Sequence, residues 1–167
     1  MDQKPKFIKP APVLMPQSGR RVDKVPQRLG GGALTSDRAR MNLVEGLKKQ
    51  GIQNPRVLEV IAKVPRHQFV DEAFASRAYE DAALPIGHQQ TISKPFTVAR
   101  FAEYALEGRS SLANVLEVGA GCGYQAAVFA ELATHVVSIE RIEALYHKAV
   151  QNLAQAGYQK VNLRYGD

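Results

Sequence analysis

The sequence predicts an α/β fold built on a parallel sheet, with helices ahead of it. Three observations carry that expectation. Strand-like runs at residues 114–118, 135–140 and 161–165 alternate with helical stretches. The intervals between them suit single crossover helices, the spacing of βαβ units with right-handed connections. A glycine-rich turn joins the first of these strands to its helix.

The first 32 residues hold five of the nine prolines and end in Gly30, Gly31 and Gly32. No helical or strand period survives there, and the composition cannot bury enough surface to offset ordering entropy. A flexible extension is expected over residues 1–32, with the folded domain over 33–167. The domain should open on a helix over 35–49, capped by Thr35 or Ser36 and stopped by Gly51, with Met41, Val44 and Leu47 on one face. Asn54 and Pro55 read as N-cap and first residue of a second helix. Val57, Leu58 and Ile61 give it an apolar face, and Pro65 ends it. Residues 66–94 read as loop-rich. Val98, Phe101, Ala102, Ala105 and Leu106 then recur at helical spacing. A small-residue helix is expected over 124–132 and a further one over 142–156, with Leu145, Ala149 and Leu153 along one face.

The chain's 167 residues suffice for one domain with a core. Its formal net charge is +6, and the extension carries most of it. Residues 1–32 hold seven cations and two anions, while the remainder holds 15 cations and 14 anions. A nucleic-acid binder carries its basic patch on the folded domain, so nucleic acid is not an expected partner. The single cysteine, Cys122, excludes an intrachain disulfide and fits a reducing compartment. No apolar run reaches the roughly 20 residues of a membrane span, and no signal-peptide core follows the N-terminal lysines. A cytoplasmic protein without a membrane partner is expected.

Gly119-Ala120-Gly121-Cys122-Gly123 forms the turn after the first parallel strand. Glycine lets backbone approach a ligand closely, and the helix that follows offers unpaired N–H groups. Glu140 ends the next strand, where an acid can accept both hydroxyls of a ribose. Tyr124 stands where the dinucleotide fingerprint needs glycine, so the spacing points to an adenosine-type cofactor of another kind. A plain tight turn is the competing reading, but it does not need three glycines. Cys122 has no Lys, Arg or His beside it in sequence to activate its thiol, and it reads as a small loop filler.

From Glu117 to Tyr124 the sequence E-V-G-A-G-C-G-Y resembles motif I of the class I S-adenosylmethionine-dependent methyltransferases. The resemblance implies a Rossmann-like methyltransferase sheet. It implies that Glu117 supports the loop, that Gly119, Gly121 and Gly123 form it, and that Glu140 binds the ribose. Gly166-Asp167 resembles the later motif whose acid meets the adenine amino group. Residues 84–95, L-P-I-G-H-Q-Q-T-I-S-K-P, resemble the signature of the protein-L-isoaspartate O-methyltransferases. Tyr79-Glu80-Asp81, Val64-Pro65-Arg66 and Phe69-Val70 resemble that family too, so the match runs over residues 35–167. Family members continue past the third strand, so a sheet truncated there is expected, from a fragment or a shortened gene product.

The implied reaction moves a methyl group from S-adenosylmethionine to the free carboxylate of isoaspartyl residues in damaged proteins and peptides. A sulfonium is already electrophilic and a carboxylate already ionised, so neither a metal nor a general base is needed. Alignment and exclusion of water are the protein's work. The resemblance implies that Ser93 takes the family's active-site serine position, its hydroxyl orienting the carboxylate. From composition alone, Ser93 would be a helix cap before Pro95. No G-x-S-x-G turn supports a hydrolase triad. His88 reads as a packing or hydrogen-bonding histidine, and Phe96 and Tyr124 as pocket lining or plain core. The other readings are a methyltransferase acting on RNA or another substrate, and an inactive truncated cofactor-binding fragment. A monomer is expected.

Overall fold

The computed structural model describes residues 32–167, with side chains from residue 37 onward. All of the expected extension except Gly32 lies outside the described residues. Helix α1 spans Gly32–Lys49 and α2 spans Pro55–Lys63. Two short 3-10 turns follow, Arg66–Phe69 and Glu72–Arg77. Strands β1 (Leu84–Gly87) and β2 (Gln90–Ile92) then form an antiparallel hairpin. Helix α3 (Pro95–Leu106) leads to β3 (Leu112–Val118), α4 (Tyr124–Leu132), β4 (Ala133–Glu140), α5 (Glu143–Gln155) and β5 (Asn162–Tyr165).

Strands β3, β4 and β5 pair in that order, all parallel, with Glu117 beside Ser138 and Glu140 beside Tyr165. Helix α4 packs on β3 and β4, and α5 on β4 and β5. They cover the face that buries Glu117, Val136, Ser138 and Glu140. On the opposite face Leu116 is 65% exposed and Val118 77%. A parallel sheet is ordinarily covered on both faces, so among the described residues this one is half dressed.

Helix α2 begins as expected. The Asn54 side chain accepts the N–H groups of Arg56 and Val57, and Pro55 needs no donor of its own. Glu103 of α3 adds a second tie, accepting the Gln53 and Asn54 N–H groups at 2.6 and 2.7 Å.

Several expectations are corrected. Thr35 and Ser36 lie inside α1, which starts at Gly32, so neither caps it. Met41 and Phe101 are 58% and 52% exposed. Leu43 takes the inward position on α1 and Ala99 on α3, because the buried stripe falls between neighbouring apolar residues. The stretch read as loop contains the β1–β2 hairpin. Its turn residues His88 and Gln89 have φ of 52° and 57°, a conformation that neither residue type announces. His88 is exposed at that turn, not packed.

Candidate active site

The glycine loop leaves the end of β3 and is held by backbone bonds before any side chain acts. The N–H groups of Gly119 and Ala120 donate to the Ile139 carbonyl at 2.8 and 3.0 Å. Gly123 has φ of 89°, and a Cβ there would meet Leu153 Cγ at 3.0 Å and Ala149 Cβ at 3.4 Å. That glycine lets α5 pack against the start of α4. Gly119 also has positive φ, but a Cβ there would meet nothing within 4 Å. Its bare side faces open space.

Two acids close the loop from below. Glu140 is 5% exposed. Its Oε2 accepts the Gly121 N–H and its Oε1 the Ile142 N–H, both at 2.8 Å. A carboxylate has about four lone-pair sites, so acceptor capacity remains on both oxygens. Glu117 is equally buried and accepts the Ser138 hydroxyl. Burial pushes its carboxyl up to about 7, Glu140 adding to the rise and hydrogen bonds from Ser138 and Gln125 opposing it.

Two cavities flank the loop. The smaller, about 70 Å³, is lined by Thr91, Ser93, Glu117, Gly119, Gly121 and Tyr124 among others. The larger, about 260 Å³, is lined by Thr91, Gly119, Gly121, Glu140, Gly166 and Asp167 among others. Six of the seven sequence-predicted site residues therefore line these cavities. Gly123 lines neither and serves packing. Ile86 reaches both, and its Cδ1 would lie 3.2 Å from a Cβ at Gly121. Phe96 lines neither and instead meets the Lys94 and Arg100 cations, each 5.2 Å from its ring.

Ser93 is exposed at the end of β2 and does not cap α3. Lys94 holds the N-cap position without a side-chain bond, and Asp81 Oδ1 accepts the Phe96 N–H at 2.8 Å. Asp81 belongs to the segment before the hairpin, so the helix end is satisfied from outside.

Cys122 is buried, and burial pushes its thiol up to about 11. It is inert filler, as its sequence surroundings suggest. Arg66 is fully buried, its guanidinium carbon 4.7 Å from the Tyr124 ring centroid. One bond reaches the Ala82 carbonyl at 3.3 Å, and burial lowers the guanidinium pKa.

Sequence reasoning missed Ser138 and Gln125, and read Thr91 only as part of the signature at residues 84–95. Ser138 is a strand residue whose only signal is its alternation with apolar neighbours toward the buried face. It also missed Lys148, a helix cation that sequence alone assigns to solvent.

The arrangement supplies an open glycine backbone, an acid with spare acceptor sites, and a hydroxyl in the adjoining cavity. These suit a polar ligand with vicinal hydroxyls beside a second, anionic reactant.

The family model for protein-L-isoaspartate(D-aspartate) O-methyltransferase matches residues 38–167. Proteins named protein-L-isoaspartate O-methyltransferase from Burkholderia vietnamiensis and Burkholderia ambifaria are each 56% identical over 138 residues, 83% of this chain and 44% of theirs. The chain thus spans less than half the length of these curated relatives. A solved protein-L-isoaspartate O-methyltransferase superposes with a TM-score of 0.68 at 30% identity, over 77% of this chain and 42% of that one. A Plasmodium falciparum structure carrying the same family name, in complex with S-adenosyl-L-homocysteine, gives a TM-score of 0.63 at 22% identity, over 75% of this chain and 62% of that one. The last comparison bears on the fold alone.

Proposed function

The chain belongs to the protein-L-isoaspartate(D-aspartate) O-methyltransferase family, and from that membership we propose that it forms the donor-binding and acceptor-orienting part of such an enzyme. The reaction is transfer of a methyl group from S-adenosylmethionine to the free carboxylate of an isoaspartyl residue. One observation carries this reading: Ser93 and the glycine loop line one cavity, and Glu140 and Asp167 line its neighbour across the same loop.

The residues fit the donor. Glu140 keeps acceptor sites for two ribose hydroxyls after serving Gly121 and Ile142. Gly119 presents backbone without a Cβ on its open side. Asp167 is available to an exocyclic amine, and Glu117, Gly121 and Gly123 hold the loop's shape. S-adenosylmethionine, when bound, supplies the activated methyl group.

The chain's own work is alignment. Ser93 donates its hydroxyl to one carboxylate oxygen of the acceptor, leaving the other oxygen to face the methyl carbon. Ile86 and Ile92 line the smaller cavity with apolar surface and exclude water that would solvate that carboxylate. The near-neutral charge of residues 33–167 favours damaged proteins over nucleic acid as acceptors. A cytoplasmic monomer, with residues 1–32 as a separate extension, completes the reading.

The test takes the whole protein that carries this chain and compares methyl incorporation into an isoaspartyl peptide with that into its normal aspartyl twin. Strong preference for the isoaspartyl form is expected. Equal labelling of both, or of neither, would refute the acceptor assignment.

A further inference from the structure

Methyl transfer tolerates little misalignment, and the two sides of this site sit on different substructures. The donor side is the glycine loop of the parallel sheet. The acceptor side is the segment running from the β1–β2 hairpin into Ser93, although Ile86, Gln90 and Thr91 of the hairpin also border the larger cavity. A two-stranded hairpin is marginal on its own; Leu84, Ile86 and Ile92 sink its apolar face into the core, and a polar tie to its backbone fixes its distance from the loop.

Helix α5 grips both. Asn152 Nδ2 donates to the Cys122 carbonyl in the glycine loop at 3.0 Å. One helical turn earlier, Lys148 Nζ donates to the Ile86 carbonyl in β1 at 3.0 Å. The same ammonium lies 2.7 Å from Asp71 Oδ1, beside the second 3-10 turn. Among the described residues, Lys148 is the side chain that hydrogen-bonds to the hairpin. Residues four apart on a helix stand about 6 Å apart on one face, so α5 acts as a ruler between the two carbonyls. Ile86, the residue gripped, contacts the loop at Gly121 and lines both cavities.

We propose that Lys148 is a positioning residue for methyl transfer, setting the separation of the Ser93-bearing hairpin from the glycine loop. It rests on the functional reading above and touches neither reactant. A displacement of about 1 Å at such a distance costs on the order of 10²-fold in rate.

The experiment uses the whole protein that carries this chain. Lys148→Met keeps the aliphatic stem and removes the donor. It should lower kcat about tenfold or more, with S-adenosylhomocysteine affinity within about twofold and melting temperature nearly unchanged. Lys148→Arg should restore most of the rate. Asp71→Asn removes the ion pair, leaves the bond to the Ile86 carbonyl, and should cost less than Lys148→Met. Amide exchange over residues 84–92 should quicken in Lys148→Met. An unchanged kcat, or a loss that merely follows donor affinity or melting temperature, overturns the proposal. If the wild-type protein leaves the isoaspartyl peptide unmethylated, the functional reading fails instead. The clasp itself is then decided by exchange, and equal rates over 84–92 in both proteins reject it.

Discussion

The Ser138 hydroxyl donates to the buried Glu117 carboxylate, tying β4 to β3 directly beneath the glycine loop. No cation pairs with Glu117 among the described residues, so the hydrogen bonds from Ser138 and Gln125 offset only part of the cost of burying its carboxyl.

That cost gives a pH dependence. The carboxyl's ordinary value is 4.5 and its folded value about 7. Between those values the folded chain keeps a proton that the unfolded chain has released. Stability therefore falls as pH rises through that window. A gap of this size corresponds to about 3 kcal/mol. Urea denaturation at pH 5, 6 and 7 should show this loss in the wild type and much less of it in Glu117→Gln. Parallel pH slopes in the two proteins would mean that Glu117 ionises normally.

Glu140→Ala should weaken S-adenosylhomocysteine binding at least tenfold. Hydrogen bonds to a charged acceptor are worth about 1.5–3 kcal/mol each, and the Gly121 and Ile142 N–H groups lose theirs as well. Calorimetric titration measures the change. Undiminished affinity would remove Glu140 from the donor site.

Ser93→Ala should cut turnover on the order of 10²-fold while leaving melting temperature unchanged, because Asp81 and not Ser93 satisfies the α3 N-terminus. Donor affinity should hold, since the hydroxyl faces the acceptor. Steady-state kinetics with an isoaspartyl peptide, beside thermal melts, separates the two. A drop in melting temperature with an unaltered rate would assign Ser93 to structure.

Gly123→Ala and Gly119→Ala should differ in kind. At Gly123 the new methyl meets Leu153 at 3.0 Å, and overpacking costs about 1–3 kcal/mol. At Gly119 the methyl meets open space, so the fold bears only the strain of positive φ, and the donor should lose affinity. Denaturation and titration on both variants test this. Equal stability losses with equal affinities would contradict it.

The sequence makes the parallel half of the fold legible because each element carries its own period. Leu145, Ala149 and Leu153 mark the buried face of α5, and Asn54-Pro55 announces the start of α2. The hairpin is not legible, because His88 and Gln89 adopt positive φ without the Asn or Gly that signals such a turn. Most site residues are visible through their motifs. Ser138 and Lys148 are not, because each acts on a partner distant in sequence and neither type is unusual in its element. Phe101 misleads for a related reason: periodicity locates a stripe to within a residue, and Ala99 occupies the inward position instead.

Cys122 is the chain's single thiol, buried and held in its protonated form. At neutral pH it should ignore maleimide reagents, which need an accessible thiolate. Within residues 1–167 the native background is therefore silent to labelling. A Leu116→Cys chain would carry one reactive position, on the face of the sheet that no described residue covers. A fluorophore there would report whatever comes to lie over that face, by its change in emission and anisotropy, without a label on the glycine loop or on Ser93.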